Sequence, residues 1–220
     1  MSNESTTDTL FFDRAGLDKH AVERLVEDTL AGADDGELFL EYTQSEGLSY
    51  DDGRLKSASY DTSQGFGLRS VAGEAAGYAH ANELSEAAIK RAGDAVRAVH
   101  SGHSGQMAAA PIGTNRLLYA DENPLNAVPF ETKVKLLSDI DAYARRKDSR
   151  VKQVSASLSG EWQAVRIVRP DGYHVSDVRP LVRLNVQVVC GQGERMESGF
   201  YGCGGRTGYD MYLDPATWQP

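Results

Sequence analysis

The 220-residue chain is short of several things, and each shortage excludes a class of protein. It has two cysteines, Cys190 and Cys203, too few for a disulfide framework and in keeping with a reducing compartment. No run approaches the ~18 consecutive apolar residues of a membrane helix, so no membrane span is expected. The opening MSNESTTDTLFFDR lacks a basic n-region and an apolar h-region, so it does not read as a secretory signal. A cytoplasmic protein is the expectation, and the Asn3-Glu4-Ser5 sequon then carries no meaning. Lysine- or arginine-rich runs and RNA-binding signatures are missing too. With a formal net charge of −9, the chain is a poor match for a phosphate backbone, and no nucleic-acid partner is expected. What remains is ordinary globular composition, 40% hydrophobic and 25% charged, long enough for one large domain or two small ones.

The first ten residues are polar and read as frayed. A helix is predicted from about Asp18 to Ala31, with Val22, Leu25, Val26 and Leu30 on one stripe, Asp18 as N-cap and Gly32 as stop. Strands follow. Leu38, Leu40 and Tyr42 alternate with Phe39, Glu41 and Thr43, and Asp52-Gly53 is a hairpin signal. LKSASYD, GFGLRSVAG and EAAGYAHA read as further strands. A second helix starts at Ser85, with Ile89, Ala92, Val96 and Val99 as its stripe. Residues 101–128 are rich in Gly, Ser, Ala, Asn and Pro and read as a linker or long loop. The pattern then recurs. A helix from Phe130 to Arg146 places Val134, Leu137, Ile140 and Tyr143 or Ala144 on one face. Strands run from Lys152 to Ser159 and from Trp162 to Arg169, with a turn at Pro170-Asp171-Gly172. Val182, Leu184, Val186, Val188 and Cys190 then alternate with Arg183, Asn185 and Gln187, as in a half-buried antiparallel strand. Gln192-Gly193 turns that strand into RMESGFYG.

The expected fold class is α+β: helices packed on antiparallel or mixed β-meanders, in two helix-plus-meander halves without a residue-level repeat. The expected domains are 1–100, a connection at 101–128, and 129–220 as the start of a β-rich region.

Candidate chemistry is sparse. The five histidines are His20, His80, His100, His103 and His174, and no two are one helical turn apart at i, i+4. His100 and His103 form H-x-x-H, which could hold a labile metal. With no third ligand in sight, a cation at a helix end plus a loop histidine is the preferred reading. Cys190 falls on the apolar face of its strand and reads as a small buried hydrophobe. Cys203 lies in a Gly-rich stretch that could cradle an anion, or simply turn a strand, and it lacks the Gly-Lys-Ser/Thr ending of a P-loop. Gly65-Phe66-Gly67 opens like a dinucleotide fingerprint but has no third glycine and no following helix, so a glycine-containing strand is preferred. Asp51-Asp52 sit in a turn and Glu161 opens a strand, and they form no acid–base pair. Ser155, Ser157 and Ser159 alternate on a strand without a nucleophile elbow.

One stretch is more specific. Asp51 to His80, reading DDGRLKSASYDTSQGFGLRSVAGEAAGYAH, resembles the amino-terminal signature of the TldD branch of the TldD/PmbA metalloprotease family. ELFLEY at Glu37–Tyr42 and LFFDRAGLD at Leu10–Asp18 are similar to the same family. So are RPDGYHVSDVRPLVRLNVQVV at Arg169–Val189 and GFYGCGGRTGYD at Gly199–Asp210. The resemblance implies a cytoplasmic zinc-type peptidase that works as a heterodimer with a TldE/PmbA-like subunit and hydrolyses unstructured peptides, such as leader peptides and antitoxins. It also accounts for an older description, modulator of DNA gyrase. Residues 1–100 would then be a domain that supports substrate and dimer. The family's metal motif is a helical His-Glu-x-x-x-His with a later cysteine ligand. This sequence has no His-Glu pair, and neither Cys190 nor Cys203 matches that cysteine. The zinc ligands are therefore expected beyond Pro220, no residue here is assigned a catalytic, cofactor-binding or metal role, and the chain alone is expected to be inactive. Two other readings stand beside this one: a non-catalytic binding or assembly module of the same family, and a gyrase-associated regulator, which the charge disfavours.

Overall fold

The computed structural model describes residues 3–100, 102–111 and 118–219. Residues 101 and 112–117, within the stretch read as a linker or loop, lie outside the described residues, as does Pro220.

The helices are α1 (Asn3–Asp8), α2 (Lys19–Leu30), α3 (Glu86–Val96), α4 (Pro124–Ala127) and α5 (Phe130–Lys147). The strands are β1 (Asp35–Asp51), β2 (Arg54–Ala72), β3 (Ala75–Ala81), β4 (Val151–Val168), β5 (His174–Gln192) and β6 (Arg195–Gly205). The six strands form one antiparallel sheet in the order β3-β2-β1-β4-β5-β6. Two meanders, β1-β2-β3 and β4-β5-β6, are neighbours through β1 and β4, and the fold is α+β. Among the described residues no helix is long and apolar enough to cross a membrane.

The turns show why the meanders form where they do. Asp52 and Gly53 have φ of 49° and 78°, and Asp171 and Gly172 have 64° and 68°. The two-residue hairpin turn at Asp52-Gly53 needs φ above zero at both central positions, which Asp-Gly tolerates, and the same pair bends the longer connection from β4 to β5, closed by the Arg169 amide on the Tyr173 carbonyl at 2.8 Å. Gly73 and Gly193, at 61° and 62°, open the second turn of each meander, and each is followed by glutamate.

The strands are longer than the alternation suggests. β1 has 17 residues and β2 has 19, with LKSASYD and GFGLRSVA joined in one strand that stops short of Gly73. Residues 54–64 of β2 are exposed throughout, so no buried face imprints a period of two on them. β4 likewise runs unbroken through Gly160-Glu161. A Cβ on Gly160 would lie 2.2 Å from the Tyr209 hydroxyl, so glycine there serves a close approach and not a strand end.

The described part of the first ten residues, from Asn3 on, is not frayed. Asn3–Asp8 is helical, and Leu10, Phe11 and Phe12 are buried. The polar residues are held by partners remote in sequence: Thr7 Oγ1 is 2.8 Å from Ser176 Oγ, and buried Arg166 donates to Asp8 and Thr7.

The chain divides into two compact units that are interleaved in sequence. Unit 1 comprises Met1–Thr43, Ser63–Leu118 and Gln163–Val178; unit 2 comprises Gln44–Thr62, Tyr119–Trp162 and Arg179–Pro220. β1, β2, β4 and β5 each pass from one unit to the other. In unit 1, Val22, Val26 and Leu30 of α2 and Ile89, Ala92 and Val96 of α3 are buried, as are Leu38, Leu40 and Tyr42 of β1. Asp18 caps α2 through the Ala21 amide at 2.7 Å, and Ser85 caps α3 through Ala88 at 3.1 Å. Unit 2 has a core of Leu48, Tyr50, Leu137, Ile140, Leu158, Val182, Leu184, Tyr209, Tyr212 and Trp218. The expected stripe on α5 holds at Leu137 and Ile140, but the helix also buries Lys133 and Asp141, whose charges are paired.

Candidate functional site

The histidines of H-x-x-H do not converge on one point. His100 Nε2 meets Ser70 Oγ, whereas His103 Nε2 lies 2.8 Å from Asp34 Oδ2. Asp34 also accepts from the Gly73 amide at 2.6 Å, and this bond, followed by that of His103, holds its carboxyl below the usual range. Burial, and then the charges of Arg97 and His103, push His100 below its ordinary value. The two side chains act as straps. They fasten the segment after α3 to the ends of β1 and β2, and backbone bonds from Gly105 to Gly32 (2.8 Å) and from Ala108 to Asp34 (2.7 Å) extend the seam. Among the described residues, no group of three or more His, Cys, Asp or Glu is arranged to hold a metal ion.

Both cysteines are free thiols, and both are half-buried. For Cys190 this corrects the expectation of a buried core residue. The register of β5 is as read, with Val182 and Leu184 buried, but the core thins beyond Leu184. Val186, Val188 and Cys190 instead line an open apolar hollow of roughly 290 Å³ with Ile140, Tyr143 and Trp218. Cys203 lies opposite Leu184 in the β5–β6 ladder, and its Gly-rich surroundings are mostly edge strand. Gly65-Phe66-Gly67 is strand as well. Asp51 is drawn below the carboxylate range by hydrogen bonds from Ser155 Oγ (2.6 Å) and Gln153 Nε2 (2.9 Å), and Asp52 is bound by Arg145. These groups complete surface networks and form no acid–base pair.

Two charge clusters, the first half-buried and the second buried, escape the sequence reading, because their members meet only through the fold. In unit 1, Arg69 grips Glu37 through Nε at 2.7 Å and Nη2 at 2.9 Å and also bonds Asp35. Arg169 reaches the same Asp35 at 2.7 Å and the Ala108 carbonyl at 3.1 Å. Burial pushes the Asp35 carboxyl up, but the hydrogen bonds of the two arginines outweigh it, and the net shift is downward. In unit 2, Lys133 Nζ bonds Glu46 at 2.5 Å and the Leu125 carbonyl at 2.7 Å, and sits 4.6 Å from the centre of the Tyr209 ring. Burial, then the charge of Glu46, raises the Tyr209 hydroxyl well above its ordinary value.

The surface features best suited to binding are the strand edges. β3 and β6 end the sheet. β3 pairs β2 only from Phe66 to Ala72, and no strand among the described residues continues along the outer side of 54–65. β6 is exposed over most of its length and carries Met196, Phe200 and Tyr201 on the surface. Such edges present unpaired backbone donors and acceptors, ready for an added strand.

Comparison with known proteins fits this architecture. Residues 36–99 match the family model for PmbA/TldA metallopeptidase domain 1, and residues 123–217 match that for the PmbA/TldA metallopeptidase central domain. A metalloprotease TldD homolog of Haemophilus influenzae is 35% identical over 185 residues, covering 82% of this chain and 38% of its own. Another, from Buchnera aphidicola subsp. Schizaphis graminum, is 30% identical over 182 residues, again 82% of this chain and 38% of its own. The chain thus spans well under half the length of these curated relatives. Among solved structures, a protein of Thermotoga maritima described as a modulator of a DNA gyrase aligns with a TM-score of 0.67 at 12% identity, over 83% of this chain and 42% of its own. TldE from Thermococcus kodakarensis aligns with a TM-score of 0.62 at 17% identity, over 90% and 46%. At these identities the structures speak for the fold alone. Taken with the two family segments, which fall on the two meanders, the matches show that the chain belongs to the PmbA/TldD metallopeptidase family.

Proposed function

We propose that this chain is the amino-terminal part of a TldD-like zinc-type metalloprotease that, with a TldE/PmbA-like subunit, hydrolyses unstructured peptides in the cytoplasm, leader peptides and antitoxins among them. The observation that carries the reading is the pair of family segments, 36–99 and 123–217, shared with relatives named as metalloproteases.

The donor set of the described residues does not fit zinc. His100 and His103 are committed to Ser70 and Asp34, and no group of three ligands exists among the described residues. The ligands are assigned to the parent protein beyond Pro220. The chain itself, with 1–100 as the supporting domain and 129–220 as the start of the next, shapes the cleft and holds substrate. Strand addition at an exposed edge suits that task. It binds through backbone hydrogen bonds and reads little sequence, so it accepts many unstructured peptides.

The test is an assay of one flexible peptide with the full-length parent and its partner, and with the 220-residue chain and that partner, each with and without a chelator. Turnover by the parent complex, abolished by chelation, and none by the chain, is the expected result. An inactive parent complex would remove the protease reading and leave a binding module.

A further inference from the structure

In unit 1, Leu38, Leu40 and Tyr42 of β1 are buried, so the alternate residues Phe39 and Glu41 face away from that core. On their side lies a hollow of roughly 350 Å³, walled by Phe39, Glu41, Tyr78 and His80 and floored by Gly65 and Gly67. The β2–β3 register sets Gly67 opposite His80 and Arg69 opposite Tyr78. A Cβ on Gly67 would lie 2.4 Å from the Tyr78 hydroxyl, so the glycine is what lets the tyrosine lie across β2. The Tyr78 and His80 rings are 5.8 Å apart, tilted by 32°. Glu41 is oriented by a hydrogen bond from Gln163 Nε2. Among the described residues no lysine or arginine lines the hollow, and the nearby Arg69 is neutralised by Asp35 and Glu37.

Aromatic faces beside an oriented carboxylate recognise an organic cation: the ring quadrupoles and the carboxylate attract the same charge. We propose that this hollow receives a lysine or arginine side chain of a peptide laid along β3, a proposal that rests on the peptide-hydrolase reading above. A peptide is the fitting source of the cation because the hollow adjoins an edge strand. A strand added to β3 turns alternate side chains onto this face, while its backbone bonds to the edge.

The experiment measures, by fluorescence anisotropy, the binding to the 220-residue chain of flexible peptides that differ at one position: arginine, lysine, citrulline or norleucine. The variants are Glu41→Gln, Tyr78→Ala and Gly67→Ala. The last leaves the Glu41 carboxylate in place and displaces the tyrosine through its added methyl. The arginine and lysine peptides should bind roughly five- to tenfold more tightly than the two neutral ones. Each variant should erase most of that margin, and Glu41→Gln should leave norleucine binding unchanged. Equal affinity for arginine and citrulline peptides, a margin that survives Glu41→Gln, or no binding of any peptide would overturn the proposal. Peptide hydrolysis by the parent without preference for a basic residue would sink the hollow alone. A margin dependent on Glu41, with a parent that cleaves nothing, would sink the protease reading alone.

Discussion

Leu184→Asp is expected to unfold or aggregate unit 2, whereas Asn185→Asp, one residue along, should barely move the thermal midpoint. Leu184 is fully buried and belongs to the cluster that includes Tyr50, Leu158, Val182 and Tyr212. Aspartate there removes the leucine's packing and buries a carboxylate with no cation beside it. Either effect costs several kcal/mol, and together they approach the about 5–15 kcal/mol that hold a domain folded. Asn185 points the other way. Its Oδ1 accepts from Arg183 Nε at 2.8 Å, a bond that aspartate keeps and strengthens. Thermal denaturation followed by circular dichroism compares the two. Equal midpoints would mean that β5 has the wrong register, since a slip of one residue exchanges its faces.

Lys133→Met should be the next most damaging change. The Lys133 side chain is 3% exposed and that of Glu46 11%, so removing the cation leaves a carboxylate with little water to solvate it. Breaking one side of a buried pair costs about 3–5 kcal/mol, more than the pair itself contributes, because the remaining charge is stranded. The double variant Lys133→Met with Glu46→Gln should recover much of the loss. Recovery should be incomplete, because the Leu125 carbonyl still lacks its donor. Urea unfolding of the three proteins measures this. A double variant no better than the single one would show that Lys133 acts through its packing on Tyr209 and not through charge.

What could be read from sequence depended on whether the signal was local. Asp52-Gly53, the cap at Asp18, the helix start at Ser85, and the alternation from Val182 to Leu184 are decided by a few neighbouring residues, and the structure bears them out. The length of β2 was hidden because 54–64 has no buried face to pattern. Order at the amino terminus was hidden because it depends on Arg166 and Ser176, some 160 residues away. Cys190 followed the predicted face, but its burial depends on how far the core extends, which alternation does not encode. The cluster of Asp35, Glu37, Arg69 and Arg169 likewise unites β1 and β2 with the residue after β4. Function was the least local property. The individual residues show no catalytic constellation, and the reading came from resemblance along DDGRLKSASYDTSQGFGLRSVAGEAAGYAH and its flanks, which the family segments at 36–99 and 123–217 support.

The most direct test of the proposal that a metalloprotease's metal centre lies outside these residues is the zinc content of two purified proteins, the 220-residue chain and its full-length parent, by elemental analysis after dialysis. Close to one zinc per parent chain and a negligible amount in the 220-residue chain is the predicted result. Stoichiometric zinc in the 220-residue chain, lost when His100 and His103 are changed to alanine, would contradict it and make the straps at Ser70 and Asp34 a metal site.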